Sequence, residues 1–282
     1  MTNLELVGIT ATGACGAGLL GALTGLGGGI VIVPLLSLAC GVDIRYAIGA
    51  SLVSVIATSS GAAAAYVREG FTNVRVGMVL EIATTFGALA GALAAALVST
   101  SAIAIIFGLV LLYSAYLTLR PHAAMAGPAA EAATRDRVAV WLRLHSTYPG
   151  TKGPEPYTVT HVGGGFGLMF VAGVLSGLLG IGSGAVKVLA MDQVMRLPFK
   201  VSTTTSNFMI GVTAAASAGV YLHRGYIDPG LALPVMLGVL LGAFAGARLL
   251  PIARTLHLRW VFGSVVVLLA IEMLYNGVTG RL

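Results

Sequence analysis

The second half of this chain matches the first half at an offset of 155 residues. Gly18–Gly29 (GLLGALTGLGGG) aligns with Gly173–Gly184 (GVLSGLLGIGSG), and GALAGA at 87–92 aligns with GAFAGA at 242–247. Because the register holds without a gap over this distance, the chain contains a duplicated unit. In an apolar chain, a two-fold repeat is typical of a membrane transporter whose binding site lies between the repeats.

The composition favours an integral membrane protein. Hydrophobic residues make up 57% of the chain and charged residues 9%, against roughly 25% charged residues in soluble proteins. An all-α membrane protein is predicted, with about eight segments near the ~20 residues needed to span a bilayer. These segments are Leu4–Thr24, Ile44–Val67, Val76–Val98, Ala102–Leu119, Val162–Leu179, Val201–Leu222, Leu231–Leu250 and Val261–Asn276.

The topology depends on a shorter segment, Leu26–Cys40, in which twelve residues make only ~18 Å of helix. If it is a loop, the repeats are parallel; if it is a re-entrant half-helix, the repeats are inverted. Cytoplasmic loops carry the excess of Lys and Arg, and the inverted arrangement separates these residues better. It places on one side Arg68, Arg75, Arg120, Arg135, Arg137, Arg143, Lys152, Arg196, Lys200, Arg248, Arg254 and Arg259, and on the other Arg45, Arg224 and Arg281.

Three regions follow from this arrangement. Residues 1–120 and 163–282 are predicted to be the transmembrane repeats, each with a broken half-helix, and residues 121–162 a cytoplasmic linker. The linker is interpreted as a tether, with VAVWLRL as a candidate interfacial helix and Pro/Gly-rich turns after it. The protein is expected in the cell (inner) membrane with both termini outside. The N-terminus is interpreted as the first helix rather than a cleaved signal peptide.

Glycine clusters precede both predicted half-helices. The first ends in Gly27, Gly28 and Gly29, and the second in Gly182, Ser183 and Gly184. A helix that begins inside the membrane presents unpaired N–H groups and the positive end of its dipole. Two such starts facing each other would bind an anion. The alternative is that these glycines only allow helices to pack closely.

A polar run in the second half has no counterpart in the first, where the aligned polar residue is Ser51. Hydroxyls and an amide at the start of a membrane helix are suited to binding an oxyanion, and Ser51 is expected to be the weaker counterpart. The same side chains could instead cap the helix and bond neighbouring helices. The run consists of Thr203, Thr204, Thr205, Ser206 and Asn207.

Two charged residues lie within predicted membrane segments. Lys187 follows the second glycine cluster, where the first half has Ile32. A buried ammonium needs a partner, so Lys187 is predicted to bind the substrate anion, or else to snorkel or pair with Asp192 or Glu81. Glu81, opposite Met236 in the repeat, is a candidate for proton coupling or for a position at headgroup depth.

Other function classes lack their residues. No nucleophile–base pair and no metal-ligand set lies within the membrane segments, so we expect no enzyme, cofactor or metal site. The basic residues flank the membrane, so nucleic acid is not an expected partner. Small-residue faces at Gly87/Gly91 and Gly242/Gly246 favour either a homodimer or packing within one chain.

The motifs resemble the TauE/SafE sulfite exporter family, also called toluene sulfonate uptake permeases. They are GLLGALTGLGGGIVIVPLL, SGLLGIGSGAVKVLAM, TTTSNFMIGVTAAASAGVYLHRGYIDP and VMLGVLLGAFAGARL. The resemblance covers nearly the whole chain and is strongest from Gly163 to Leu250. Ser183 stands where the family commonly has a third glycine.

This resemblance implies a secondary transporter of small sulfur-containing anions such as sulfite, sulfoacetate or other organosulfonates. We expect alternating access around a midplane site between the repeats, coupled to protons or to the gradient of the substrate. A channel-like anion pore with the same architecture is the alternative. The expected partners are the anion and the lipid bilayer.

Overall fold

The computed structural model describes residues 3–24, 28–68, 70–119, 136–150, 153–249 and 255–280. The first half contains α1 (Asn3–Thr24), α2 (Gly29–Pro34), α3 (Ile44–Arg68), α4 (Val74–Ala94) and α5 (Thr100–Leu119). The linker contributes α6 (Arg137–Trp141), β1 (Ser146–Gly150) and β2 (Gly153–Tyr157). The second half contains α7 (Val162–Leu179), α8 (Gly184–Leu189), α9 (Phe199–His223), α10 (Pro229–Leu249) and α11 (Thr255–Thr279). Each short helix, α2 and α8, continues as a π-helical turn, Leu35–Ala39 and Ala190–Val194 respectively.

The described protein is mostly helical, as the composition predicts. Helices satisfy their backbone hydrogen bonds within the segment, which is what a chain in lipid requires. Three of the described helices are long and apolar enough to cross a membrane: Val74–Ala94, Val162–Leu179 and Pro229–Gly246. Shorter apolar helices lie at Gly29–Ala39, Ile44–Ser60, Thr100–Tyr116 and Gly263–Thr279. The count of eight spanning segments stays a prediction.

Helix bounds recur along the chain at the spacing of the sequence match. The helices α3 and α9 each have 25 residues, and α4 and α10 each have 21. The short helices α2 and α8 each have six residues and a five-residue π-helical turn. All four pairs begin 155 residues apart. The aligned sequences therefore give the same local structure.

The helices of the two halves interlock. The main contacts pair α1 with α10, α4 with α7, α5 with α11, and α3 with α9, so that each pair joins one half to the other. Glycines make the closest approaches: a Cβ atom at Gly87 would overlap the Phe170 carbonyl oxygen, and one at Gly242 that of Cys15. These glycines therefore pack helices within one chain, which was one of the two alternatives. A homodimer stays a prediction.

The described part of the linker folds into a small cap. We use the name linker cap for residues 136–150 and 153–160, in which β1 and β2 form an antiparallel hairpin after α6. Its buried side chains Ala139, Leu144 and Val159 share a hydrophobic cluster with Val76 and Leu80 of α4. The sequence predicted a short helix and turns here, but not the hairpin. Residues 120–135 and 151–152 lie outside the described residues.

Two polar side chains fix the linker cap to the helices. Asn73 accepts a hydrogen bond from Val76 N at the start of α4 and donates to Leu144 O and to the Tyr157 hydroxyl. Asp136 accepts from Val138 N in α6 and from Val162 N at the start of α7. The bond from Val162 N lowers the pKa of Asp136 below its ordinary value, since hydrogen bonds to a carboxylate favour its charged form.

Candidate functional site

The two glycine clusters that precede α2 and α8, here called the glycine segments, meet at one serine. Ser51 of α3 is fully buried, and its Oγ lies 2.8 Å from Gly180 O and 3.4 Å from Gly29 O. A Cβ atom at Gly29 would lie 2.7 Å from Val55 Cγ2 and 3.0 Å from Ser51 Oγ. Glycine is thus needed for α2 to begin so close to α3. Ser51 ties the first glycine segment to the second.

Ser206 occupies the equivalent position in the second half. Its buried hydroxyl donates to the carbonyl oxygen of Gly184, the first residue of α8, at 3.3 Å, and Ser51 Oγ lies at a similar 3.4 Å from Gly29 O. Both serine hydroxyls are therefore engaged with carbonyl oxygens at the starts of the short helices. They position these helices in the structure, and their contact with an anion stays a prediction.

The second glycine segment turns through left-handed backbone. Gly180 caps α7 with φ of 69°, Gly182 has φ of 69°, and Ser183 has φ of 45°. Such angles suit glycine and strain a residue with a side chain. Ser183 begins α8 in this conformation, is 3% exposed, and its Oγ has no hydrogen-bond partner within the described residues. A buried hydroxyl thus stands at the break between α7 and α8.

The side chains of the polar run Thr203–Asn207 contact different parts of the protein. Thr203 donates to Phe199 O, and Thr204 donates to Lys200 O, so both bond the preceding turn of their own helix. Thr205 accepts from Asn73 N at the start of α4, and Asn207 is half-buried. Ser206 alone of these five has a hydrogen bond to the glycine segments among those described. The run therefore acts largely in helix packing, and anion binding by Thr203, Thr204, Thr205 and Asn207 stays a prediction.

Lys187 is buried at the centre of the candidate site. It lies on α8, is 0% exposed, and its Nζ donates to Thr213 Oγ1 on α9 at 2.5 Å. The Thr213 hydroxyl lies 2.7 Å from Glu81 Oε1 on α4. Of the alternatives for Lys187, the structure supports a link to Glu81 through Thr213. We call Glu81, Thr213 and Lys187 the charge bridge.

Glu81 is only 8% exposed, which places its side chain inside the protein. Thr85 also donates to its Oε1, at 3.3 Å. Glu81 Oε2 is buried and has no hydrogen-bond partner within the described part of the chain. The charge bridge therefore holds an ammonium with one described hydrogen bond, one shared hydroxyl and one carboxylate oxygen without a partner among the described residues.

Thr213 is the site residue that the sequence does not reveal. It lies in a segment rich in small residues, and it aligns with Thr58, which is also a threonine, so the two halves do not differ there. Its one signal is indirect: a buried lysine needs a partner. Among the other predicted residues, Gly28, Gly29, Gly182 and Gly184 are buried at the two breaks, and Gly27 lies outside the described residues.

Comparison with known proteins settles the family. The family model for the sulfite exporter TauE/SafE matches residues 10–273. The chain belongs to the TauE/SafE family. The resemblance predicted from the motifs is thereby confirmed, and the protein is a membrane transporter of this family.

Curated relatives agree with this placement. The chain is 30% identical over 271 residues to the probable membrane transporter protein YunE of Bacillus subtilis, covering 93% of this chain and 95% of that one. It is 24% identical over 225 residues to the probable membrane transporter protein YdhB of the same organism, covering 79% and 82%. A probable membrane transporter protein of Xylella fastidiosa is 24% identical over 257 residues, covering 90% and 89%. No solved structure matches the chain.

Proposed function

We propose that this protein is a secondary transporter of small sulfur-containing anions, such as sulfite, sulfoacetate or other organosulfonates. The observation that carries the proposal is Lys187, a fully buried ammonium beside the break between α7 and α8. An ionisable residue inside a membrane protein is costly and marks a substrate or ion pathway. The buried Ser183 hydroxyl, at the N-cap of α8 and one turn before Lys187, has no partner among the described residues and adds a donor. A cation with nearby hydroxyls suits a small oxyanion.

The proposed mechanism is alternating access between two inverted repeats. Met195 ends the π-helical turn after α8, and Thr160 lies just before α7. Thr160 N donates to Met195 O, so the chain after α8 returns to the start of α7. The start of α4 contacts the linker cap. At the other end of α4, Arg224 donates to Ala92 O, and nearby Arg45 donates to Val98 O. This arrangement supports a re-entrant second half-helix and the inverted order inferred from the charges. The linker is then cytoplasmic, and both termini lie outside the inner membrane.

Ligand-induced thermal stabilisation of the purified protein in detergent tests the proposal. The panel is sulfite, thiosulfate, sulfoacetate, methanesulfonate and taurine, with acetate and chloride as controls. A ligand stabilises the folded state by RT ln(1 + [L]/Kd), so a rise in Tm confined to sulfur anions is expected. Ser183→Ala should weaken the shift, and Lys187→Met should abolish it.

Lys200→Met is the matched control, because it removes an exposed ammonium at the start of α9. It should leave the shift unchanged. Counterflow of a bound anion in proteoliposomes then separates a carrier from a pore, since a pore shows unitary currents and no counterflow. The proposal fails if no sulfur anion shifts Tm, or if Lys200→Met removes the shift as fully as Lys187→Met.

A further inference from the structure

The charge bridge joins the two halves of the protein through one hydroxyl. Glu81 belongs to α4 in the first half, whereas Lys187 and Thr213 belong to α8 and α9 in the second. Thr213 Oγ1 accepts from Lys187 Nζ and donates its one hydrogen toward Glu81 Oε1, with Met209 O of its own helix as the other acceptor in reach. The ammonium and the carboxylate thus balance each other through Thr213.

The surroundings of the bridge leave this balance to two charges. Lys187 and Glu81 are both buried, and each lies across the Thr213 hydroxyl from the other. The other acidic and basic residues of α4, α7, α8, α9 and the π-helical turn after α8 are Arg75, Lys200 and His223, which are exposed, and Asp192, which is half-buried. A buried site of low dielectric tolerates opposite charges that compensate each other, but a net charge there is strongly unfavourable. The bridge is neutral when Lys187 is an ammonium and Glu81 a carboxylate.

A monovalent anion bound at Lys187 changes the net charge of the site. The site then holds one positive and two negative charges, with the Glu81 carboxylate no longer compensated. Neutrality returns if Glu81 takes up one proton from water. Its buried Oε2, which has no partner within the described residues, is the oxygen available to carry this proton.

We infer that Glu81 and the transported anion compete for Lys187 through Thr213, so that each monovalent anion moves together with one proton. This inference rests on the proposed function. In the empty site, Lys187 pairs with the Glu81 carboxylate; in the loaded site, Lys187 pairs with the anion and Glu81 is a neutral acid. Proton and anion enter and leave together, and transport is electroneutral. Thr213 is a positioning residue that conveys the exchange.

The first half provides an internal comparison. At the offset of 155, Lys187 corresponds to Ile32, Glu81 to Met236 and Thr213 to Thr58. Thr58 donates to Ser54 O and Val55 O of its own helix. The hydroxyl is present in both halves, but both charges occur only around Thr213. Coupling is therefore assigned to one side of the pseudo-symmetric site, and Thr58→Val is the matched control for Thr213→Val.

Proton uptake during anion binding tests the inference on the full chain. The probe is methanesulfonate, which stays a monoanion across the pH range used, added to the purified protein in weakly buffered detergent with a pH-indicator dye. About one proton should be taken up per anion bound. Wherever free Glu81 is ionised, apparent affinity should fall about tenfold per pH unit as pH rises, since proton binding and anion binding are linked.

Three variants and two controls test the inference further. Glu81→Gln should bind methanesulfonate with no proton uptake and with affinity independent of pH, and its proteoliposomes should keep counterflow but lose uptake driven by a pH gradient. Thr213→Val should flatten the pH dependence, and Thr213→Ser should restore it. Thr58→Val and Glu272→Gln, which removes an exposed carboxylate of α11, should behave as the wild type.

The outcomes separate the two proposals. If methanesulfonate binds to the wild type without proton uptake, the coupling inference is overturned and the transporter proposal stands. If proton uptake persists in Glu81→Gln, another group carries the proton and the inference is likewise overturned. If neither methanesulfonate nor any other sulfur anion binds, the proposed function fails and the coupling inference fails with it.

Discussion

The two short helices that interrupt the halves have the same backbone plan and different chemistry. In α2, GIVIVP, all six residues are buried and none is charged. In α8, GAVKVL, the fourth residue is the buried Lys187. Both helices have six residues and continue as a π-helical turn. The two breaks therefore lie at equivalent positions of the aligned halves, and the difference between Ile32 and Lys187 decides which break carries charge.

Two aligned halves with one charged break predict unequal responses at equivalent positions. Where both halves make the same contact, equivalent substitutions should have similar effects. Where the second half alone is charged, or where only one of two equivalent residues also bonds the linker cap, the effects should differ. Pairs of variants at equivalent positions measure this asymmetry directly.

The largest difference is expected between Lys187→Met and Ile32→Met. Removing Lys187 leaves the buried Glu81 carboxylate without its compensating charge, and breaking a buried ion pair in this way costs about 3–5 kcal/mol. Ile32→Met conserves volume in a buried apolar position and should cost less than about 1.5 kcal/mol. Thermal unfolding in detergent, monitored by intrinsic fluorescence, compares the two variants.

The double variant Lys187→Met/Glu81→Gln isolates the cause. It removes the uncompensated carboxylate, so at a pH high enough to ionise Glu81 in the single variant it should be more stable than Lys187→Met alone. Equal stability of the single and double variants would contradict the charge bridge as the source of the loss. A double-mutant cycle can detect the interaction, because the two side chains share Thr213. The stability effects of substitutions at such neighbours are not expected to be additive.

A second difference is expected at the caps of α4 and α10, which begin at equivalent positions. Asp228 Oδ1 accepts from Gly230 N in the first turn of α10, and losing such a cap costs about 0.5–2 kcal/mol. Asn73 makes the same kind of cap for α4 and also donates to Leu144 O and Tyr157 Oη in the linker cap. Leaving those buried partners unsatisfied adds about 1–3 kcal/mol.

Limited proteolysis distinguishes the two caps. Asn73→Ala should expose the linker cap to cleavage between α5 and α7, whereas Asp228→Ala should not. Thermal unfolding should rank the Asn73 variant as the less stable of the two. Equal cleavage of both variants would show that Asn73 does not hold the linker cap in place.

The comparison also shows what the sequence could and could not predict. The apolar segments and glycine clusters located the long helices and the short α2 and α8, because lipid demands helices of defined length and glycine marks their breaks. Lys187 and Glu81 stand out because charges are rare in such segments, and their pairing is one of the alternatives that the sequence predicts. These signals come from the local sequence or the composition, and they can be recognised without knowledge of tertiary packing.

Other features depend on contacts between distant parts of the chain. Thr213 resembles the many hydroxyl residues of membrane helices, and its place between two charges appears only when α4, α8 and α9 are packed together. The polar run from Thr203 to Asn207 looked like one binding surface, but a helix turns 100° per residue and distributes these side chains over several faces. The hairpin of the linker cap was missed because its prolines and glycines are typical of turns.

The smallest expected difference lies at the two serines that contact the short helices. Ser51 Oγ lies within reach of two carbonyl oxygens, Gly180 O at 2.8 Å and Gly29 O at 3.4 Å, whereas Ser206 reaches Gly184 O at 3.3 Å. A buried hydrogen bond contributes about 1 kcal/mol net, so Ser51→Ala should lower stability by about that much and Ser206→Ala by less. Thermal unfolding of both variants, with Ser54→Ala as a control that removes a bond to its own helix, measures the ranking. Among the described residues, Ser51 is the side chain that reaches both glycine segments, so its loss should also weaken anion-dependent stabilisation. A Ser206→Ala effect equal to or larger than that of Ser51→Ala would place the connection between the halves elsewhere.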